Sequence, residues 1–148
     1  ISDEEGRRRT EGIFVPFHSR VAKHLEEREK AGRSTRIVAI HSFTPVFLGR
    51  ARPWHAGVLY NKSREFAEHV VDHLRRDPTL NVATNVPYVI SRDEDYAIPV
   101  HGEDRGHEAI LIELRQDLIS STVGSQDWAR RLADALPGSF NSPKGSAE

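Results

Sequence analysis

Apolar positions along the chain fall into two rhythms. In the first, Ile13, Phe17, Val21 and Leu25 recur every fourth residue, which places them on one face of a helix. Ser2-x-x-Glu5 has the form of a capping box at its start. Pro16 should kink this helix or split it in two. The charged stretch 26–30 reads as a solvated last turn, and Gly32 as the stop. Phe66, Val70 and Leu74, with Ala67 and Val71, predict a second helix capped by Asn61 or Ser63 and ended by Asp77-Pro78. Trp128, Leu132 and Leu136 predict a third over about 125–136, with Pro137 as its stop.

The second rhythm is the short unbroken apolar run. Residues 37–40, between Arg36 and His41, read as a buried strand that Pro45 closes. Residues 109–114 form a second strong strand candidate, and 56–60, 80–83, 88–90 and 96–101 are weaker ones. Helices alternating with short apolar strands predict an α/β domain, with a mainly parallel or mixed sheet flanked by helices. The polar stretch 138–148 reads as a loose tail.

Composition narrows the class. In 148 residues, 37% are apolar, enough for one core. No run approaches the roughly 20 apolar residues of a membrane span, so no membrane partner is expected. A net charge of −1 argues against a nucleic-acid partner. With no Cys there is no thiolate nucleophile and no cysteine-held zinc. The chain opens on Ile1 and contains no Met, and we read it as a fragment or processed chain whose N-terminal part is missing.

Five stretches carry candidate chemistry. His41 ends a buried strand, the place where open α/β sheets put ligands, and a neutral imidazole there can reach a metal. The alternative is a hydrogen-bonded strand-end histidine. Glu113 lies inside an apolar run, where a carboxylate is costly unless paired or functional, and desolvation suits it to general acid/base work. The alternative is pairing with Arg115. The loop Gly49-Arg-Ala-Arg-Pro-Trp-His-Ala-Gly57 gathers cations, an indole and an imidazole, and could bind a carboxylate through an arginine fork or be an ordinary basic loop. His101-Gly-Glu-Asp-Arg105-Gly-His107 reads first as a surface turn. His69 and His73, at i and i+4, could chelate a metal but sit on an ordinary amphipathic helix. No glycine-rich phosphate loop and no Gly-x-Ser-x-Gly elbow is present.

Taken in order, His41-Ser-Phe-Thr-Pro45, Arg52-Pro-Trp-His-Ala-Gly-Val-Leu-Tyr-Asn61, Asn85-Val-Pro-Tyr88, His101-Gly with Arg105-Gly106, and Ile112-Glu-Leu-Arg-Gln-Asp-Leu-Ile119 resemble the C-terminal half of the N-formylglutamate amidohydrolase family. The likeness covers roughly residues 12–136, and Val86 stands where the family usually has Glu. It implies a zinc-exopeptidase or phosphorylase/hydrolase-like fold, similar to zinc-dependent carboxypeptidases and aspartoacylase-type deacylases. Residues 1–137 would be the C-terminal part of one amidohydrolase domain. By that analogy His41 is a zinc ligand and Glu113 the catalytic base, with zinc, or another divalent metal, activating a water. The remaining ligands would belong to a missing N-terminal segment of the same protein. Arg52 and Arg115 are candidates for holding substrate carboxylates, and His55 and Asn61 for lining the pocket. The implied reaction turns N-formylglutamate into formate and glutamate, as in histidine breakdown in the cytoplasm. Another N-acyl amino acid or small peptide, or a non-catalytic binding role, are the alternatives.

Overall fold

The computed structural model describes residues 1–136. The expected tail at 138–148 and the stop at Pro137 lie outside the described residues. The chain divides into two compact units, 1–35 and the remainder from Arg36.

The first unit is helical. Helix α1 (Asp3–Arg9) starts at Ser2, whose hydroxyl accepts a hydrogen bond from the Glu5 amide at 3.3 Å. Glu5 does not return the second bond of a capping box; its carboxylate pairs with Arg8 and Arg9 instead. A π-helical turn (Thr10–Phe14) then leads into helix α2 (Val15–Lys30), with Pro16 in its first turn. Pro16 has no N–H to give to the preceding turn. The wider turn absorbs that loss, and the helix changes pitch rather than breaking. Gly32, at φ +64°, follows the C-terminal end of α2.

The second unit is built on a four-stranded sheet in the order β1-β6-β4-β5, from β1 (Arg36–Phe43), β4 (Ala56–Leu59), β5 (Val82–Thr84) and β6 (Glu108–Arg115). Strands β1 and β6 run parallel, as do β4 and β5, while β4 runs antiparallel to β6. The sheet is therefore mixed. A two-stranded hairpin, β2 (Val46–Phe47) and β3 (Arg50–Ala51), follows β1 and turns on Leu48 and Gly49, both at positive φ.

Side-chain alternation gives the sheet two buried faces. Ala56, Val58, Ile110, Ile112 and Leu114 pack on one face against helices α3 (Arg64–Leu74) and α4 (Thr122–Ala135). Phe66, Val70, Leu74, Trp128 and Leu132 fill that layer, as their spacing predicts. Ser63 precedes α3 but makes no cap hydrogen bond there; its hydroxyl accepts instead from the Ala109 amide. Helix α4 begins three residues earlier than the apolar pattern suggests, capped by Ser121.

On the other face Leu59, Ala109 and Leu111 meet Ile90 and Ile98, with Ile37 and Ala39 alongside. Ile98 belongs to a π-helical segment (Ala97–Gly102), which corrects the strand expected over 96–101. Pro99 stands in its middle and has no N–H for a ladder, so the buried run coils instead. Gly102 lies so close to β6 that a Cβ there would stand 2.3 Å from that of Ala109. The piece 88–90 is likewise irregular rather than a strand.

Candidate active site

Parallel pairing of β1 with β6 sets His41 directly opposite Glu113, and antiparallel pairing of β4 sets Gly57 on the other side of Glu113. His41 Nδ1 lies 3.8 Å from Glu113 Oε1. The two differ sharply in exposure. The His41 side chain keeps 54% of its surface open to solvent, whereas that of Glu113 keeps 7%. Glu113 Oε2 is buried without a hydrogen-bond partner.

An ionised carboxylate in that position is costly, and burial accordingly raises the Glu113 pKa above the ordinary glutamate value. His41 and Arg52 nearby work against this rise, and the nearby Asp95 adds to it. A carboxyl group poised in this way, with one oxygen free, can take a proton from water and return it to a leaving group.

Gly57 explains how a second segment comes over this part of the sheet. A Cβ at residue 57 would stand 1.6 Å from the Val86 carbonyl oxygen, so only glycine lets the 85–87 loop cross here. Asn85, at φ +52°, anchors the loop: its amide donates to Val58 O, and its side-chain oxygen accepts from the Tyr60 amide. Beyond the crossing, Asn85, Pro87, Tyr88 and Val89 line a cavity of about 570 Å³ with Glu94, Asp95 and Glu113, floored by Leu59 and Leu111.

Arg52 is held by aromatic rings. Its guanidinium carbon lies 4.5 Å from the Phe47 ring centre, 4.9 Å from that of Tyr88 and 6.0 Å from that of Phe43. One terminal nitrogen donates to the Tyr88 hydroxyl at 2.8 Å. Phe47 and Tyr88 were given no role from sequence. The available signal was that Phe47 flanks the loop 49–57 and that Tyr88 ends the stretch Asn85-Val-Pro-Tyr88.

The other candidates fall elsewhere. Arg115 is already engaged: its guanidinium pairs with Asp117 and donates to the carbonyls of Pro53 and Trp54, pinning that loop to β6. His55 stands before β4, at the end nearer Glu113. Its Nδ1 accepts from the Asn81 amide, while its own amide donates to Asn81 O, extending the β4–β5 pairing. Asn61 is exposed beyond the far end of β4. Because β4 runs antiparallel to β6, four residues from Gly57 carry Asn61 about 13 Å away from Glu113 along the strand. Asn61 therefore does not line the cavity beside Glu113. His101 is buried, its ring edge-on to Tyr96 at 5.4 Å, within the covering layer rather than a surface turn.

Among the described residues no three His, Cys, Asp or Glu side chains come together in a group that could hold a metal ion, at His69/His73 or elsewhere. Catalytic zinc takes three protein ligands. His41 and Glu113 are two groups, one of them cast as the base, so the described residues do not by themselves fit a metal centre.

The N-formylglutamate amidohydrolase family model matches residues 1–120. The chain belongs to the N-formylglutamate amidohydrolase family. A crystal structure of a gene product from Agrobacterium tumefaciens is similar, with a TM-score of 0.83 at 32% sequence identity. The likeness covers 93% of this chain and 56% of that one, so the chain spans little more than half the length of that protein. No curated protein matches.

Proposed function

We propose that the protein hydrolyses N-formyl-L-glutamate to formate and glutamate, with Glu113 as the base. The observation that carries this reading is the register pairing of His41 with Glu113, whose buried Oε2 faces no partner beside an open cavity. In the reaction, a water oxygen bonds to the formyl carbon while the Glu113 carboxylate accepts the water's proton. The C–N bond then breaks, and Glu113 passes the proton to the departing amine nitrogen. Arg52, the half-buried cation beside Glu113, holds a substrate carboxylate. Arg115 is less suited, since Asp117 already occupies its fork.

For the complete protein we propose zinc, or another divalent metal, with His41 as one ligand. The further donors would come from a segment outside the described residues, which make up the C-terminal part of the catalytic domain in a zinc-exopeptidase-like fold. The proposed setting is the cytoplasm. Among the described residues no helix is long and apolar enough to cross a membrane.

One observation favours a second substrate within the same reaction class. Glu94 and Asp95 border the cavity next to Glu113, and they disfavour a second carboxylate there. An N-acyl amino acid with a neutral or basic side chain fits that border better than a diacid. Formate release from N-formylglutamate, compared with release from N-formyl amino acids of neutral and basic side chains, tests both readings. Release from none of them by the complete, zinc-loaded protein sinks the proposed reaction.

A further inference from the structure

Arg52 is half-buried, like three arginines whose partners are carboxylates. Arg36 pairs with Glu108, Arg115 with Asp117, and Arg131 with Asp77 and Asp127. Arg52 makes no carboxylate ion pair: ring faces and one hydroxyl hold it, with Glu113 near enough to feel its charge. Ring faces attract a guanidinium without using its N–H groups. Only one terminal nitrogen is engaged by a side chain, at the Tyr88 hydroxyl. The remaining donors of the planar fork stay available for a two-pronged contact, and the geometry of such a fork matches a carboxylate.

The groups that hold Arg52 come from two separate segments. Phe47 is on the β2–β3 hairpin, which also contains the turn at Leu48 and Gly49. The Arg52 amide donates to Pro45 O at 2.8 Å and closes the base of that hairpin. Tyr88 is on the loop that Gly57 admits over the sheet. Arg52 therefore joins the hairpin to the loop, and Tyr88 both holds Arg52 and lines the cavity that reaches Glu113.

We propose that Tyr88 and Phe47 are positioning residues that fix the Arg52 guanidinium as a preformed receptor for one substrate carboxylate. This rests on the reading of Arg52 as the substrate-holding group and deepens it. The ligand class is a small acyl amino acid presenting a single free carboxylate, whichever side chain it carries. The Tyr88 hydroxyl sets which edge of the fork is used, and the Phe47 face keeps the plane in place. Fixing the fork before binding lowers the ordering cost of binding.

The test uses the intact protein, with N-acetylglycine as a minimal acyl amino acid and N-acetylglycinamide as its uncharged counterpart. Binding is followed by titration while the Arg52 side-chain N–H signal is observed by NMR. N-acetylglycine should bind and shift that signal, and N-acetylglycinamide should do neither. Arg52→Gln should abolish binding. Tyr88→Phe, which keeps the ring and removes the hydroxyl, should weaken it about tenfold, the scale of one hydrogen bond to a charged group. Phe47→Leu, at an exposed position, should weaken it less. With a hydrolysable formyl amino acid, Tyr88→Phe should raise KM and leave kcat within about twofold, the pattern of a group that acts on binding alone. No binding by the unmodified protein, equal binding of the amide, or unchanged affinity in Tyr88→Phe overturns the proposal. Carboxylate binding through Arg52 without formate release overturns the proposed reaction and leaves the receptor standing.

Discussion

At the scale of single residues, the proposed chemistry turns on Glu113. Its apolar sequence neighbours, Ile112 and Leu114, point to the opposite face and bury there, so the carboxylate is carried inward by a strand it does not match. Replacing Glu113 by Gln keeps the shape and removes the base. Turnover should fall by about 10²- to 10⁴-fold. Thermal unfolding should show no loss of stability, because the change removes a buried charge that lacks a full set of partners. Turnover within a few-fold of the unmodified protein would place the base elsewhere. This residue was legible in the sequence because a charge inside an apolar run has few explanations. His41 was legible for the same reason, as the polar end of such a run. Arg52 could be picked out as a cation in a loop, but its rings could not. Phe47 and Tyr88 reach it from segments that only the folded chain brings together.

At the scale of elements, close approach and pairing decide what each piece does. Gly57→Ala puts a methyl group where the Val86 carbonyl lies, and two backbones must separate. The expected cost is about 1–3 kcal/mol, typical of overpacking a filled interior, read as a lower urea midpoint. The displaced loop carries Tyr88, so KM should rise as well. An unchanged midpoint would show that the loop does not cross the sheet as described.

A second junction joins the end of α3 to α4. Hydrogen bonds from the Thr79 hydroxyl and from Arg131, then from the Thr79 amide, hold the Asp77 pKa down at about 2. In the unfolded chain the same carboxyl titrates at its ordinary, higher value. Across the interval between them the unfolded state binds more protons, so this contribution to stability rises with pH. It is complete above the ordinary value and is lost as pH falls through about 2. Asp77→Asn should therefore unfold at lower denaturant than the unmodified protein at neutral pH, and the two should converge near pH 2. A constant gap across that range would count against the junction. Helix α3 and strands β1 and β6 were readable from periodicity. The direction of β4 was not, because a four-residue apolar run carries no signal of orientation.

At the scale of the whole molecule, donor count governs metal chemistry. His41 and Glu113 meet, but no third donor joins them among the described residues. A chain limited to the described residues 1–136 should therefore retain no stoichiometric zinc after dialysis. On the proposed function, the complete protein should retain it and should lose formate release on chelation. Stoichiometric zinc on that shortened chain would show that its own residues suffice. The mixed α/β class was readable because helical and strand rhythms alternate along the chain. The covering segment 96–101 was misread because a buried coil and a buried strand share the same apolar composition, and only Pro99 separates them.

The β1–β6 pairing also has a consequence in time. Arg36 and Glu108, at the start of that ladder, are 72 positions apart. Synthesis from the N-terminus completes β1 first of the sheet's strands, and its strand partner emerges only after the hairpin, β4, α3 and β5 have been made. His41 cannot meet Glu113 until β6 is out, because a parallel ladder between distant segments must first close the long loop between them. Throughout that interval β1 presents Ile37, Val38 and Ile40 on an unpaired strand. The nascent chain is therefore most exposed to mispairing with other chains just before His41 and Glu113 come together.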